Sequence, residues 1–267
     1  MSDALAITRI LVALDTSARS QAALDTAAEL ASALSAQLMG LFVEDINLLR
    51  LAELPFAREV GHASAANRPL EFSEVERALR GQAARIERAV AEAAGRLQLQ
   101  WSFRVARGQV VPQILAVAED VDFVVFGKEG RAASQATSQR AAIPAVGPVL
   151  VLFDGSLAAR QALITAARLA QANGRPLNVL VPADATEDFQ RLRGIASETL
   201  RGGPSPVRYV ALAGADVAHL ARTASREKCS AFVLASASLP LAHEEVGALL
   251  YAIGCPVVLV RLGLVNE

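Results

Sequence analysis

Short, unbroken apolar runs alternate along this chain with longer stretches in which apolar residues recur every three or four positions. The runs before Asp15 and at Pro148–Phe153 read as strands buried on both faces, and Gln37–Val43, Trp101–Val105, Phe123–Phe126, Ala231–Ala235 and Pro256–Val260 as further strands. Between them, Ala18–Leu34 sets Ala22, Ala23, Ala27, Leu30, Ala31 and Leu34 on one face of a helix. The clearest helix runs from Phe72 to Leu97, with Val75, Leu79, Ala83, Ile86, Val90 and Ala93 at threes and fours between them. Val110–Glu119, Ala158–Ala172, Asp216–Arg226 and Leu241–Ile253 predict further helices. Strands alternating with helices imply parallel sheets covered on both faces.

The segment after the second strand resists this scheme. Leu48, Leu49, Leu51, Leu54, Phe56 and Val60 are too many apolar residues for a solvated loop, and Pro55 interrupts any single helix. Something is expected to cover it.

The order repeats. LVALDTS, ending at Ser17, is answered by LVLFDGS, ending at Ser156, and QLMGLFVED (37–45) by PLNVLVPAD (176–184), both at an offset of 139. The offset falls to 106 between Gly108 and Gly214, so the first half carries roughly 33 residues that the second lacks. A duplicated pattern implies two similar units packed together. The second has a fifth strand, CPVVLV. The first passes from Gly127 through a Gly/Ala/Ser-rich segment into PVLVLFDGS: either its last strand is lost or Pro148–Phe153 serves in its place, and loss is favoured because the DGS elbow marks that run as the opening strand of unit two. The first unit's open edge then needs a cover, and residues 48–60 are one candidate.

With 267 residues, 53% hydrophobic and 20% charged, the chain can bury a core for one large domain or two of ordinary size. A formal net charge of −1 gives no electrostatic reason for nucleic acid or an anionic membrane as partner. Two cysteines, Cys229 and Cys255, are too few for a disulfide framework and lack C-x-x-C spacing. They are expected as buried thiols in a reducing compartment, the cytoplasm. No leader with a cleavage site opens the sequence and no apolar run reaches about eighteen residues, so neither export nor a membrane span is expected. His62, His219 and His243 lie outside metal-ligand spacings, and no G-x-S-x-G, Walker A or G-x-G-x-x-G motif occurs. Neither Asp15 nor Asp154 has a neighbouring cysteine or histidine. No catalytic residue and no metal ligand is therefore expected.

Both halves resemble the universal stress protein family. The residues that carry the likeness are ILVALDTS and its helix, QLMGLFVED, and RVARGQVVPQILAVAEDVDFVVFGKEG around Gly108, with LVLFDGS, ALAGADVAHLARTA and CPVVLVR in the second half. The whole is similar to a tandem-domain member, and LLRLAELPFAREV to an insertion in bacterial members. The resemblance implies a Rossmann-like α/β fold of the adenine-nucleotide alpha-hydrolase type: two open, mostly parallel five-stranded sheets, the first reduced to four strands if its last is lost. The units would span residues 1–146, with an insertion at about 46–78, and residues 147–267. A pairing edge at the fifth strand, Pro256–Val260, is implied too, within a homodimer or an intramolecular pseudo-dimer.

In nucleotide-binding members the aspartate after the first strand faces the adenosine end, backbone at the end of the second strand contacts the base, and a glycine-rich loop after the fourth strand cradles phosphates. The resemblance thus implies Asp15, Val43, Gly127 and Gly130 as contacts for ATP or AMP. Glycine amides approach oxygen anions closely, and helix N-termini add favourable potential. Read on its own residues, Asp15 is either a helix cap or a ligand contact. For Asp154 the cap is favoured. Lys128 is a solvated loop residue or a phosphate partner, and Ser134, Thr137 and Ser138 are phosphate donors or a polar loop. The family pattern breaks at Arg140-Ala141, where G-[S/T] belongs. It breaks again in the second half at Ala235 or Ser236, Pro240 and His243-Glu244. The expected function is a stress-response binding or regulatory module without catalysis, its nucleotide-binding loops degenerate and its cofactor absent. The alternative is a stress protein binding ATP or AMP in the first unit, with slow hydrolysis.

Overall fold

A computed structural model describes residues 8–15, 18–54, 56–60, 67–69, 71–118, 120–126, 147–183, 185–201, 206–212, 216–238 and 252–261. In chain order the elements are β1 (Arg9–Leu14), α1 (Ala18–Leu34), β2 (Gln37–Asp45), α2 (Ile46–Ala52), β3 (Arg58–Val60), β4 (Asn67–Pro69), α3 (Phe72–Arg96), β5 (Trp101–Gly108), α4 (Val110–Ala118) and β6 (Phe123–Phe126). They continue with β7 (Val149–Leu152), α5 (Leu157–Ala172), β8 (Leu177–Pro182), α6 (Thr186–Thr199), β9 (Val207–Leu212), α7 (Val217–Glu227), β10 (Ala231–Ala235) and β11 (Val257–Val260). The expected helix at Leu241–Ile253 falls mostly outside the described residues.

Two separate sheets were the expectation; the strands instead form one nine-stranded sheet in the order β5-β2-β1-β6-β11-β10-β7-β8-β9. All its ladders are parallel except one: β11 runs antiparallel to β6, with Val257 opposite Phe126 and Val260 opposite Phe123. An open strand edge presents unpaired amides and carbonyls, and another strand satisfies them best. The edge of four-stranded β5-β2-β1-β6 is therefore filled by β11, not by residues 48–60, and Pro256–Val260 lies at an interface within the chain.

The central strands have the composition of doubly covered strands. Ile10–Leu14, Val149–Leu152, Ala231–Ala235 and Val257–Val260 are buried throughout. Strand alternation sends Ile10, Val12, Val151 and Val233 into a layer with α1, α3, α5 and α6, and Leu11, Ala13, Leu150 and Phe232 into a layer with α4 and α7. Small residues on the helix faces let these layers close on the sheet, as at Ala23, Ala27 and Ala31 of α1 and Ala159, Ala162 and Ala166 of α5. Between the two helices, Asn173 donates to Glu29 at 2.7 Å.

The segment around Pro55 is divided. Asp45 ends β2 and caps α2 by accepting from the Asn47 amide at 2.9 Å. Leu49 and Ala52 are buried, whereas Leu48, Leu51, Leu54 and Phe56 stay exposed. β3 and β4 pair as a separate antiparallel hairpin. Helix α6, over which the sequence reading passes, has only Leu192 and Ala196 buried, too few to mark a period. The cysteines also differ from expectation: Cys229 and Cys255, both buried, form a disulfide. Their residues precede adjacent strands, a proximity that their separation in sequence does not reveal. Among the described residues no helix is long and apolar enough to cross a membrane.

Candidate functional site

The carboxyl ends of parallel strands are where an open α/β sheet leaves room for a ligand, and here the duplicated elbows lie. In the first half, Leu14 pairs with Phe42, Val43 with Ala106, and Ala13 with Phe126. Asp15 follows Leu14 as Val43 follows its partner Phe42. Val43 and Ala106 pack in the α4 layer, and Asp15, two residues on from Ala13, continues that face by strand alternation. Asp15 and Val43 thus each follow one member of the Leu14–Phe42 pair, near the carboxyl ends of adjacent strands. Asp15 is half-buried, and its amide donates to the Ser20 hydroxyl at 2.7 Å, which pins the elbow to the first turn of α1. Gly127 and Gly130 lie outside the described residues, as do Lys128, Ser134, Thr137, Ser138 and Arg140.

The second elbow has the same position and a different local chemistry. Asp154 is exposed, and its Oδ1 accepts from the Ser156 amide at 2.8 Å. Ser156, not Asp154, caps α5, accepting from the Ala159 amide at 3.1 Å. Gly155 between them has φ +86°, a left-handed conformation that favours glycine. At the offset of 139, Val43 corresponds to Pro182, which pairs with Leu212 as Val43 pairs with Ala106.

The sequence reading missed a charged cluster on the opposite face of the first elbow. Glu44, buried at the end of β2, is contacted by Arg107 of β5 through Nε and a terminal nitrogen, each 2.9 Å from Oε2. The same guanidinium lies 3.6 Å from Glu76 of α3, and Arg80 reaches Glu76 at 2.7 Å. The hydrogen bond that Arg107 donates to Glu44, then the Glu44 charge, raises the Arg107 pKa further above its already high ordinary value. This cation is committed to two carboxylates on the α3 side, away from Asp15 and Val43. The only signal in sequence was a charged residue ending each of two apolar strands.

The chain is similar to a universal stress protein from Archaeoglobus fulgidus DSM 4304, with a TM-score of 0.57 at 13% identity over 96% of this chain and 98% of that one. At that identity the likeness is one of fold alone. Lower scores relate it to a putative universal stress protein from Pseudomonas aeruginosa UCBPP-PA14 (TM-score 0.46, 14% identity, 96% of this chain and 94% of that one). A universal stress protein in complex with cAMP scores 0.38 at 16% identity, over 45% of this chain and 99% of that one. At these two scores neither carries an argument about the site. No curated protein matches the chain. Residues 6–138 match the model of the universal stress protein family.

Proposed function

We propose that the protein is a non-catalytic binding or regulatory module of the stress response, with degenerate nucleotide-binding loops. Its two units, residues 1–146 and 147–267, descend from a tandem duplication, and the second serves the first as a structural partner. The observation that carries this reading is Pro182 in the place of Val43. Backbone that pairs with a base at that point needs an N–H as well as a carbonyl, and proline has no N–H. The lost G-[S/T] pattern at Arg140-Ala141 agrees with a weakened grip on phosphate in the first unit. The matching orders β5-β2-β1-β6 and β9-β8-β7-β10 support the duplication, and the antiparallel β6–β11 ladder supports an intramolecular pseudo-dimer.

The placement of Asp15 and Val43, each following one member of the Leu14–Phe42 pair, favours a second reading, in which the first unit alone holds ATP or AMP and hydrolyses ATP slowly. Calorimetric titration of the full chain and of Asp15→Ala with AMP and with ATP plus Mg²⁺ separates the two. The first reading expects no saturable heat at millimolar nucleotide. Saturable binding that Asp15→Ala abolishes would overturn it.

A further inference from the structure

The only two cysteines of the chain meet at the N-terminal ends of neighbouring strands, where Cys229 and Cys255 form a disulfide with their Cα atoms 6.2 Å apart. Its two ends are anchored differently. Cys229 sits in a fixed corner: its amide donates to Ala224 at the end of α7, and Lys228 before it closes that helix in a left-handed conformation, φ +49°. Ser230 after it donates to the Pro148 carbonyl at the start of β7 through both its amide, 2.9 Å, and its hydroxyl, 3.2 Å. Gly147 is pressed against the Lys228 carbonyl so closely that a Cβ has no room. Cys255, by contrast, leads directly into β11. That strand joins the two halves of the sheet, through a parallel ladder to β10 and an antiparallel one to β6, each only four residue pairs long. The bridge ties the short seam strand to the fixed corner.

We infer that Cys229 and Cys255 form a redox site that sets the strength of this seam. Oxidised, the pair clamps β11 between β10 and β6. Reduced, it becomes two small buried thiols that pack but no longer tether. Reduction proceeds by attack of a dithiol's thiolate on one sulfur to give a mixed disulfide, which the dithiol's second thiolate resolves. The S–S bond of the protein breaks, two electrons and two protons pass to its sulfurs, and the dithiol leaves as a disulfide. Oxidation by a disulfide reverses each step. Both cysteines are buried, at 3% and 6% exposure, so exchange requires the starts of β10 and β11 to open first.

The test equilibrates the full chain with reduced or oxidised dithiothreitol. Thiols are counted by alkylation in denaturant, the Tm is measured, and hydrogen exchange is followed in peptides covering Val257–Val260 and Phe123–Phe126. The oxidised protein is expected to hold no alkylatable thiol and to melt higher by on the order of 5–10 °C. On reduction, seam peptides exchange about tenfold faster while those of β1 and β2 change little, and reoxidation restores the slow rate. The double variant Cys229→Ser/Cys255→Ser behaves as the reduced form in both buffers. If that variant fails to fold, reduction and reoxidation of the unaltered chain decide alone. Two free thiols under oxidising conditions, or equal melting and equal seam exchange in both states, would overturn the assignment.

Discussion

Arg107 of β5 stands directly opposite Glu44 of β2 in the parallel register, and its guanidinium closes on the Glu44 carboxylate at 2.9 Å. The carboxylate is buried and the cation half-exposed, so the two halves of the pair are unequal. Removing the cation leaves a desolvated negative charge beside Glu76, whereas neutralising the carboxylate leaves a hydrogen-bonding amide. Arg107→Ala is expected to lower the urea midpoint more than Glu44→Gln, and the double variant to recover part of the loss. The pH dependence has a definite sign. A raised pKa for Arg107 contributes stability that is fully present below the unfolded value and lost only as pH rises through the folded one, far into alkali. Melting across the neutral range therefore shows no step from Arg107.

At Gly40 of β2, α3 packs close against the sheet. A Cβ there would stand 2.9 Å from a Val90 methyl and 3.0 Å from the Phe103 ring, and Val90 is fully buried on a stiff, branched side chain. Gly40→Ala is expected to destabilise by about 1–3 kcal/mol through overpacking. Urea unfolding measures it, and an unchanged midpoint would contradict this packing.

At the second elbow, two neighbouring residues hold the start of α5 by different means. Ser156→Ala removes the hydrogen bond to the Ala159 amide and is expected to cost about 1 kcal/mol. Gly155→Ala costs on the order of 1–2 kcal/mol because its φ of +86° is disfavoured for a residue with a Cβ. The terminal methyl of buried Leu192 lies 2.7 Å from the new Cβ and must shift, which adds to the backbone strain. Equal costs for Gly155→Ala and Gly155→Asn would support that origin less well than a milder effect of asparagine, which tolerates the left-handed region.

The seam offers the fourth expectation. Val258 faces Val125 across the antiparallel ladder, and both are fully buried. Val258→Ala is expected to cost about 1–3 kcal/mol. If the ladder couples the two halves, circular dichroism and tryptophan fluorescence from Trp101, which lies in the first half, give less coincident unfolding curves in this variant than in the unaltered chain.

Sequence alone determined the local elements and their repetition. Buried parallel strands need continuous apolar runs, and helices packed on one side need apolar residues at threes and fours, so β1, α1, α3, β6, β10 and β11 were legible as composition and period. The likeness between the elbows at Asp15 and Asp154 was legible for the same reason. What only the tertiary structure decided were relations between distant residues: the joining of two half-sheets into one through β6 and β11, the Cys229–Cys255 bridge, and the Arg107–Glu44 pair. A periodic pattern records which face of an element is buried but not what buries it. An open strand edge, a thiol and a strand-end charge each find their partner only when the elements have taken their places.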